Sequence, residues 1–264
     1  MEKVNEVLAK QSEAVLSEAY KDLLKPSTQP MGQILSYLPR TIRLALNRWE
    51  KWIINGEESI ELTANLLKEK LQEIPEEKIC EPEPYVAIPA IQQLSYCENS
   101  NILRELYANL LASSMNLDTK WSVHPSFVDI IKQLTPDEAK LLKTLPPNII
   151  INHPLINVRL IYKGDSEKTG FTHIANFTTF GLNSIENKGQ ICAYIDNLVR
   201  LKLIEIPFGR ILADNSHYDE LKENPILKKS IDEILLKSEY DLDYEYHLFH
   251  ITNFGINFVS TCCM

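Results

Sequence analysis

Apolar residues recur at three- and four-residue steps over positions 1–145, and the period changes to β-branched runs after Pro146-Pro147. The first pattern predicts helices and the second predicts strands. Residues 4–24 carry Val4, Leu8, Val15, Leu16 and Leu23 on a loose stripe, which the prolines of the Lys25–Pro30 stretch interrupt. Residues 33–54 are strongly amphipathic. Leu35, Leu38, Ile42, Ala45, Leu46, Trp49 and Ile53 share one arc, with Arg40, Arg43, Asn47 and Lys51 opposite. Pro39 starts or kinks this helix, and Asn55-Gly56 ends it. A helix over 59–74 steps through Ile60, Ala64, Leu67, Leu71 and Ile74. The acidic, proline-rich stretch from Pro75 to Pro84 connects it to a short helix over 88–96. There Pro89 falls in the first turn and Ile88, Ile91 and Leu94 form the apolar face.

The stretch from Asn101 to Leu145 predicts three consecutive helices with explicit boundaries. Leu103, Leu106, Tyr107, Leu110, Leu111 and Ser114 share a face of the first. His124-Pro125 precedes Phe127, Val128, Ile130, Ile131 and Leu134 of the second, where proline suits the first turn. Thr135-Pro136-Asp137-Glu138 opens the third with a capping box, and its acids complement the positive end of the helix dipole. Beyond Pro147, Ile149-Ile150-Ile151 and Val158–Tyr162 predict strands. Phe171, Ile174, Phe177 and Phe180 recur every third residue, which predicts a helix. Gln190–Lys202 predicts a helix, Leu203–Pro207 a strand, 217–237 a helix, Tyr240–Thr252 a strand and Asn253–Ser260 a closing helix.

These elements predict a mainly α chain: a helical domain over 1–145 and a winged-helix-like α+β domain over 146–264. Tyr194–Ile206 would supply the second helix of a helix-turn-helix with its strand. His247–Val259, with the Thr252-Asn253-Phe254-Gly255 corner, would supply a wing strand running into a terminal helix.

Charge narrows the partners. The chain of 264 residues has a formal net charge of −9. Residues 1–80 hold 11 basic and 13 acidic side chains, 81–145 hold 5 and 8, and 146–264 hold 11 and 15. No segment forms a basic arm, which disfavours nucleic acid as a partner. Residues 239–246 alternate strictly. A strand there sets Glu239, Asp241, Asp243 and Glu245 on one face and Tyr240, Leu242, Tyr244 and Tyr246 on the other. An acidic wing repels phosphates, so the winged helix is expected to bind protein. The same run imitates the start of a calcium loop but has Tyr246 where glycine is needed and Thr252 where glutamate is needed.

Catalytic and cofactor chemistry finds no support. The cysteines, Cys80, Cys97, Cys192, Cys262 and Cys263, are odd in number and irregularly spaced, as expected of free thiols in a reducing cytoplasm. The histidines, His124, His153, His173, His217, His247 and His250, offer no metal spacing. Glycine is scarce, and phosphate-cradling and nucleophile-elbow patterns are absent. The Glu-x-Lys element of restriction-type nucleases occurs four times, a background frequency in a charged chain. The spacing of Arg210 and His217 matches loosely the Arg…His pair of HEPN ribonucleases. No catalytic, cofactor or metal residue is therefore assigned. No run of 18 apolar residues exists. Met1 opens a polar stretch unlike a targeting peptide, so a cytoplasmic location is expected.

The candidates that remain are interaction residues. Trp49 and Trp52, with Arg40 and Arg43, mark the 33–54 helix either as core or as a membrane-interface element; core is favoured because the apolar arc is as wide as a core-facing helix needs. Asn109 is expected as a buried amide on a helix, and His124 as a cap before Pro125.

Ile74-Pro75, Glu81–Pro84, Ala87–Ser95, Leu103–Met115 and His124–Leu142 carry a resemblance to the Abi-alpha (abortive-infection alpha) family of bacterial proteins. Tyr107-Ala108-Asn109-Leu110-Leu111-Ala112, His124-Pro125-Ser126-Phe127 and Asp137-Glu138-Ala139 look like its signatures, and the likeness runs from about Leu24 to Val259. The resemblance implies a phage-defence role, in which an infected cell stops growing or dies, and implies no reaction. The expected function is a non-enzymatic defence protein acting through a protein partner or homo-oligomer, with a phage component as a further candidate. Peripheral membrane contact by the helical half would be a second route. The alternatives are a winged-helix DNA-binding regulator reading with Gln190–Lys202 and a HEPN-like ribonuclease.

Overall fold

The computed structural model describes residues 58–94, 97, 99–235 and 239–264. The helices expected over 4–24 and 33–54 lie outside these residues. The chain divides into two compact units between Val128 and Asp129. This division falls inside a helix, upstream of the change of period at Pro146, because the capped helix that follows is tied by side-chain hydrogen bonds to elements beyond it.

In the first unit, α1 (Glu58–Gln72), α2 (Pro84–Leu94) and α3 (Asn101–Ser114) pack together. Leu67 and Leu71 of α1 are buried. α2 begins earlier than its sequence predicts, at Pro84, so Pro89 lies inside the helix and forgoes a backbone hydrogen bond there. Val86, Ala87, Ala90, Ile91 and Leu94 face the core. Ser100 caps α3 through the Leu103 amide. Arg104, Leu106, Tyr107, Ala108, Asn109, Leu110, Leu111 and Ala112 are all buried, so α3 is covered nearly all round and is the central helix of this unit. The Tyr107 hydroxyl donates to the Val128 carbonyl at 3.3 Å. That carbonyl belongs to α4 (Ser126–Lys132), which spans the division.

The second unit takes its helix start from the predicted capping box. In α5 (Pro136–Lys143) the Thr135 hydroxyl accepts from the Glu138 amide, and the Glu138 carboxylate accepts from the Thr135 amide at 2.6 Å. The same carboxylate accepts from the Asn197 side-chain amide at 2.7 Å, which ties α5 to α6 (Ile191–Arg200). Asp137, also buried, accepts from the Glu186 and Asn187 amides, the Tyr194 hydroxyl and the Lys140 ammonium.

The strands β1 (His153–Tyr162), β2 (Gly170–Phe177), β3 (Ile204–Glu205) and β4 (Tyr240–Ile251) form an antiparallel sheet in the order β2-β1-β4-β3. The structure departs from the sequence pattern at three places. Residues 149–151 are not in a strand, and their isoleucines are exposed. With His153 opposite Phe249, Ile151 would stand opposite Ile251, where β4 ends. Residues 171–177 form a strand and not a helix. Phe171, Ile174 and Phe177 pair with Leu160, Val158 and Ile156, so two bulges stretch a two-residue repeat into a three-residue one. The helix expected over 217–237 is split into α7 (Ser216–Glu223) and α8 (Pro225–Leu235), because Pro225 forces Asn224 into extended backbone.

The closing helix α9 (Asn253–Cys262) is capped by Thr252, whose hydroxyl accepts from the Gly255 amide at 2.9 Å. The predicted alternation of β4 holds: Asp243 stands opposite Arg159 and Glu245 opposite Asn157. Arg159 Nε lies 3.4 Å from Glu245, and Asn157 donates to the same carboxylate at 3.2 Å, so part of the acidic row is paired within the sheet.

Candidate interaction surface

The sequence after α3 is polar, and its backbone is held by a set of short-range bonds. Residues 76–80 run beside it as a bridge: Cys80 N donates to Met115 O at 2.8 Å and Leu117 N to Lys78 O at 2.9 Å. The Lys78 ammonium meets the Asp118 carboxylate at 2.6 Å. Asn116 accepts from the Asp118 amide, and the Thr119 hydroxyl donates back to Ser113 O at 2.8 Å. The Ser122 hydroxyl donates to Thr119 O. The turn formed by residues 116–122 is therefore fixed, and it presents Trp121 with 83% of its surface exposed.

The Lys120 ammonium sits 4.7 Å from the centre of the Trp121 ring, a cation–π contact that orients the indole. Tyr85, at the start of α2, and Leu117 are exposed as well. Glu83, Tyr85, Val86, Lys120, Trp121 and Val123 line a recess. Two exposed aromatic side chains beside one cation and one carboxylate match the composition of protein-binding anchors. Periodicity missed this surface because Trp121 belongs to no amphipathic repeat. The available signal was a tryptophan inside the polar run Asp118-Thr119-Lys120-Trp121-Ser122, between two helices that had no need of it.

The second unit carries an open cleft of about 470 Å³ between β2, α6 and α8, lined by His173, Ile174, Phe177, Cys192, Asp196, Leu227 and their neighbours. Asn176, at φ 59°, bends β2 at this point; its backbone amide donates to Asn157 Oδ1 at 2.9 Å and its side chain to Asp196 at 2.7 Å. Burial, reinforced by Asp196, pushes the Cys192 thiol up to about 11, so the residue with most potential for nucleophilic chemistry stays protonated. Burial also holds His153 below the ordinary histidine range, between the rings of Phe180 and Phe249. Among the described residues no group of three or more His, Cys, Asp and Glu side chains could hold a metal ion.

Arg40, Arg43, Trp49 and Trp52 lie outside the described residues. Asn109 is buried at the middle of α3. His124 is exposed; its Nδ1 accepts from the Ser126 amide at 3.2 Å, which caps α4, and its ring lies 5.9 Å from Phe127. Asn109 and His124 both belong to the first unit. Arg210 ends an exposed turn and His217 lies in the first turn of α7; neither lines the recess or the cleft described above. On α6 the outward positions are Ala193, Asp196 and Arg200, and the Arg200 guanidinium is held by Asn197 and Gln133.

The sequence pattern of the family described as abortive infection alpha matches residues 55–262. The chain belongs to the abortive infection alpha family. The match includes both compact units as described, the Trp121 turn and the cleft. Membership in this family gives the chain a role in abortive infection, a form of defence. Among solved structures, this family member is similar to "the uncharacterized protein from the hydrocarbon-degrading marine bacterium Alcanivorax borkumensis SK2". The identity is 17%, over 52% of this chain and 92% of the other, at a TM-score of 0.36. No curated protein matches it. Among the described residues no helix is long and apolar enough to cross a membrane.

Proposed function

We propose that this abortive infection alpha protein is a non-enzymatic defence factor of the cytoplasm that acts by binding a protein partner through the surface around Trp121. The carrying observation is the exposed Trp121 on a turn whose backbone is already fixed. An anchor held in place before binding loses little conformational freedom on association, which favours affinity. Tyr85, Leu117 and Lys120 supply the adjoining contact, and the partner is a second copy of the chain, a host protein or a phage component. The non-enzymatic part of the reading is supported by the protonated Cys192 thiol and by the engagement of Asp137, Glu138 and Arg200 in hydrogen bonds between α5 and α6.

The helical and α+β division of the chain and a winged-helix-like arrangement of the C-terminal part belong to the same reading. It is supported by the α5–α6 packing, the β3–β4 pairing and the passage of β4 into α9. The DNA-binding alternative would place α6 in a groove, but Asp196 occupies the middle of its outward face and Arg200 is engaged.

The test is a phage plaque assay with cell survival scored at high infection ratio. Cells carrying the wild-type chain should be protected as a population, and Trp121→Ala should abolish protection while the purified variant melts like wild type. Full protection by Trp121→Ala would overturn the assignment of the surface.

A further inference from the structure

After β3 the chain makes the turn Pro207-Phe208-Gly209-Arg210, closed by the Arg210 amide on the Pro207 carbonyl at 3.5 Å. Gly209 has φ 69°, the conformation that a type II turn requires at its third residue. The second residue, Phe208, then stands at the apex, and its side chain is fully exposed. Arg210 and Ile211 beside it are also exposed. From Ile206 to Ala213 the only charged side chain is Arg210, in a chain whose net charge is −9.

Both ends of this loop are anchored. At the entrance, Glu205 pairs with His250 in the sheet, and its carboxylate lies 2.9 Å from His250 Nε2. At the exit, the Leu212 amide donates to the hydroxyl of buried Tyr218 at 2.8 Å, and that hydroxyl donates to His247 O at 3.0 Å. Tyr218 is further held by stacking on Tyr246, with ring centres 4.5 Å apart. The phenyl group is therefore carried on a braced projection.

We propose that this turn is a lipid-contacting element that inserts Phe208 into the interfacial region of an anionic bilayer. A bilayer accommodates a convex apolar tip, whereas a stable protein interface needs roughly 800 Å² of complementary surface per partner. The residues that follow the tip, Asp214, Asn215, Ser216 and His217, are exposed and polar, so the apolar run along the chain ends at Ala213. Arg210 meets the headgroup phosphates as Phe208 and Ile211 enter the acyl boundary. Of the acidic residues nearest in sequence, Glu205 faces His250 at 2.9 Å, and exposed charges more than a Debye length of about 8 Å away are screened at physiological salt. The turn belongs to the second unit and the Trp121 surface to the first.

Flotation of the full-length chain with phosphatidylcholine vesicles, and with vesicles containing one quarter phosphatidylglycerol, tests this. Wild type should float, more strongly with the anionic vesicles. Phe208→Ser should lower partitioning about tenfold, as expected for loss of one buried aromatic side chain. Phe208→Trp should restore it, and Arg210→Gln should remove the preference for anionic lipid. Trp121→Ser should float like wild type, which separates this contact from the proposed function. Equal flotation of Phe208→Ser and wild type would overturn the proposal by placing lipid contact elsewhere in the chain. A wild type that stays unbound, with protection against phage nonetheless lost in Phe208→Ser, would overturn it in favour of a protein partner at the turn.

Discussion

A Cβ atom on Gly255 would lie 2.0 Å from the carbonyl oxygen of Leu203. The backbone of α9 thus approaches the residue just before β3 more closely than any side chain allows, while the Thr252 hydroxyl bonds both the Gly255 amide and the Lys202 carbonyl. The obstruction is backbone, so no rotamer change relieves it. Gly255→Ala is expected to cost about 3 kcal/mol, the upper part of the range for overpacking, and Thr252→Ala about 1 kcal/mol as a lost cap. Urea unfolding of the two variants checks the order; equal midpoints would contradict it.

Asp137 links acid stability to the α5–α6 junction. Burial alone would raise its carboxyl, but the amides of Asn187 and Glu186 and the Lys140 ammonium outweigh burial and hold it below the ordinary carboxylate value of 3.8. A carboxyl depressed by folding stabilises the native state above its unfolded value, and this contribution is lost as pH falls through the folded value. Wild type should therefore lose stability below about pH 4. Asp137→Asn should be less stable at pH 7 by about 2 kcal/mol, the scale of hydrogen bonds to a charged group, and should show a flatter dependence in that acid window. Denaturant midpoints across pH 2–7 measure both slopes.

Cys192 should be a slow thiol. Burial and the adjacent Asp196 carboxylate keep it protonated up to about pH 11, and burial raises Cys80 and Cys97 too. At pH 8 the folded chain should react with a disulfide reagent far more slowly than the same chain in denaturant. Mapping the modified cysteines by mass spectrometry decides it, and rapid labelling of Cys192 in the native state would contradict the stated geometry.

Trp121→Ala should change stability by less than about 0.5 kcal/mol, because the side chain is mostly exposed and the turn is held by its neighbours. Duplex DNA should bind weakly or undetectably at physiological salt, since the acidic row of β4 is only partly paired with Arg159 and α6 presents Asp196 outward. Fluorescence anisotropy checks the second point: submicromolar binding with a steep salt slope would show that local charge outweighs the overall balance.

Helix starts were legible wherever one side chain closes on its own backbone. The capping box of Thr135 with Glu138 could be read because the bonding groups are near in sequence, and the start of the closing helix at Asn253 could be placed although its Thr252 cap was not named. Pro225 was an equally local signal for the break between α7 and α8, but the apolar stripe running through it suggested one helix. Phe171, Ile174 and Phe177 misled for a different reason. Their spacing depends on bulges fixed by pairing with β1, which no local pattern encodes. The interaction surface was hidden for a related cause. Trp121 is exposed because Lys78 and Cys80, distant in sequence, brace the loop that carries it.

The uneven β2 strand has an effect beyond shaping the cleft. β2 is one edge of the sheet, and a second molecule could add a strand to such an edge only by matching its spacing of hydrogen-bonding groups. A regular strand advances two residues per repeat on one face, whereas β2 advances three across each of its irregular steps. An incoming strand would fall out of register before forming a long ladder. The opposite edge, β3, offers only Ile204 and Glu205. Among the described residues, neither edge of the sheet therefore offers the long, regular run of backbone groups that strand addition needs.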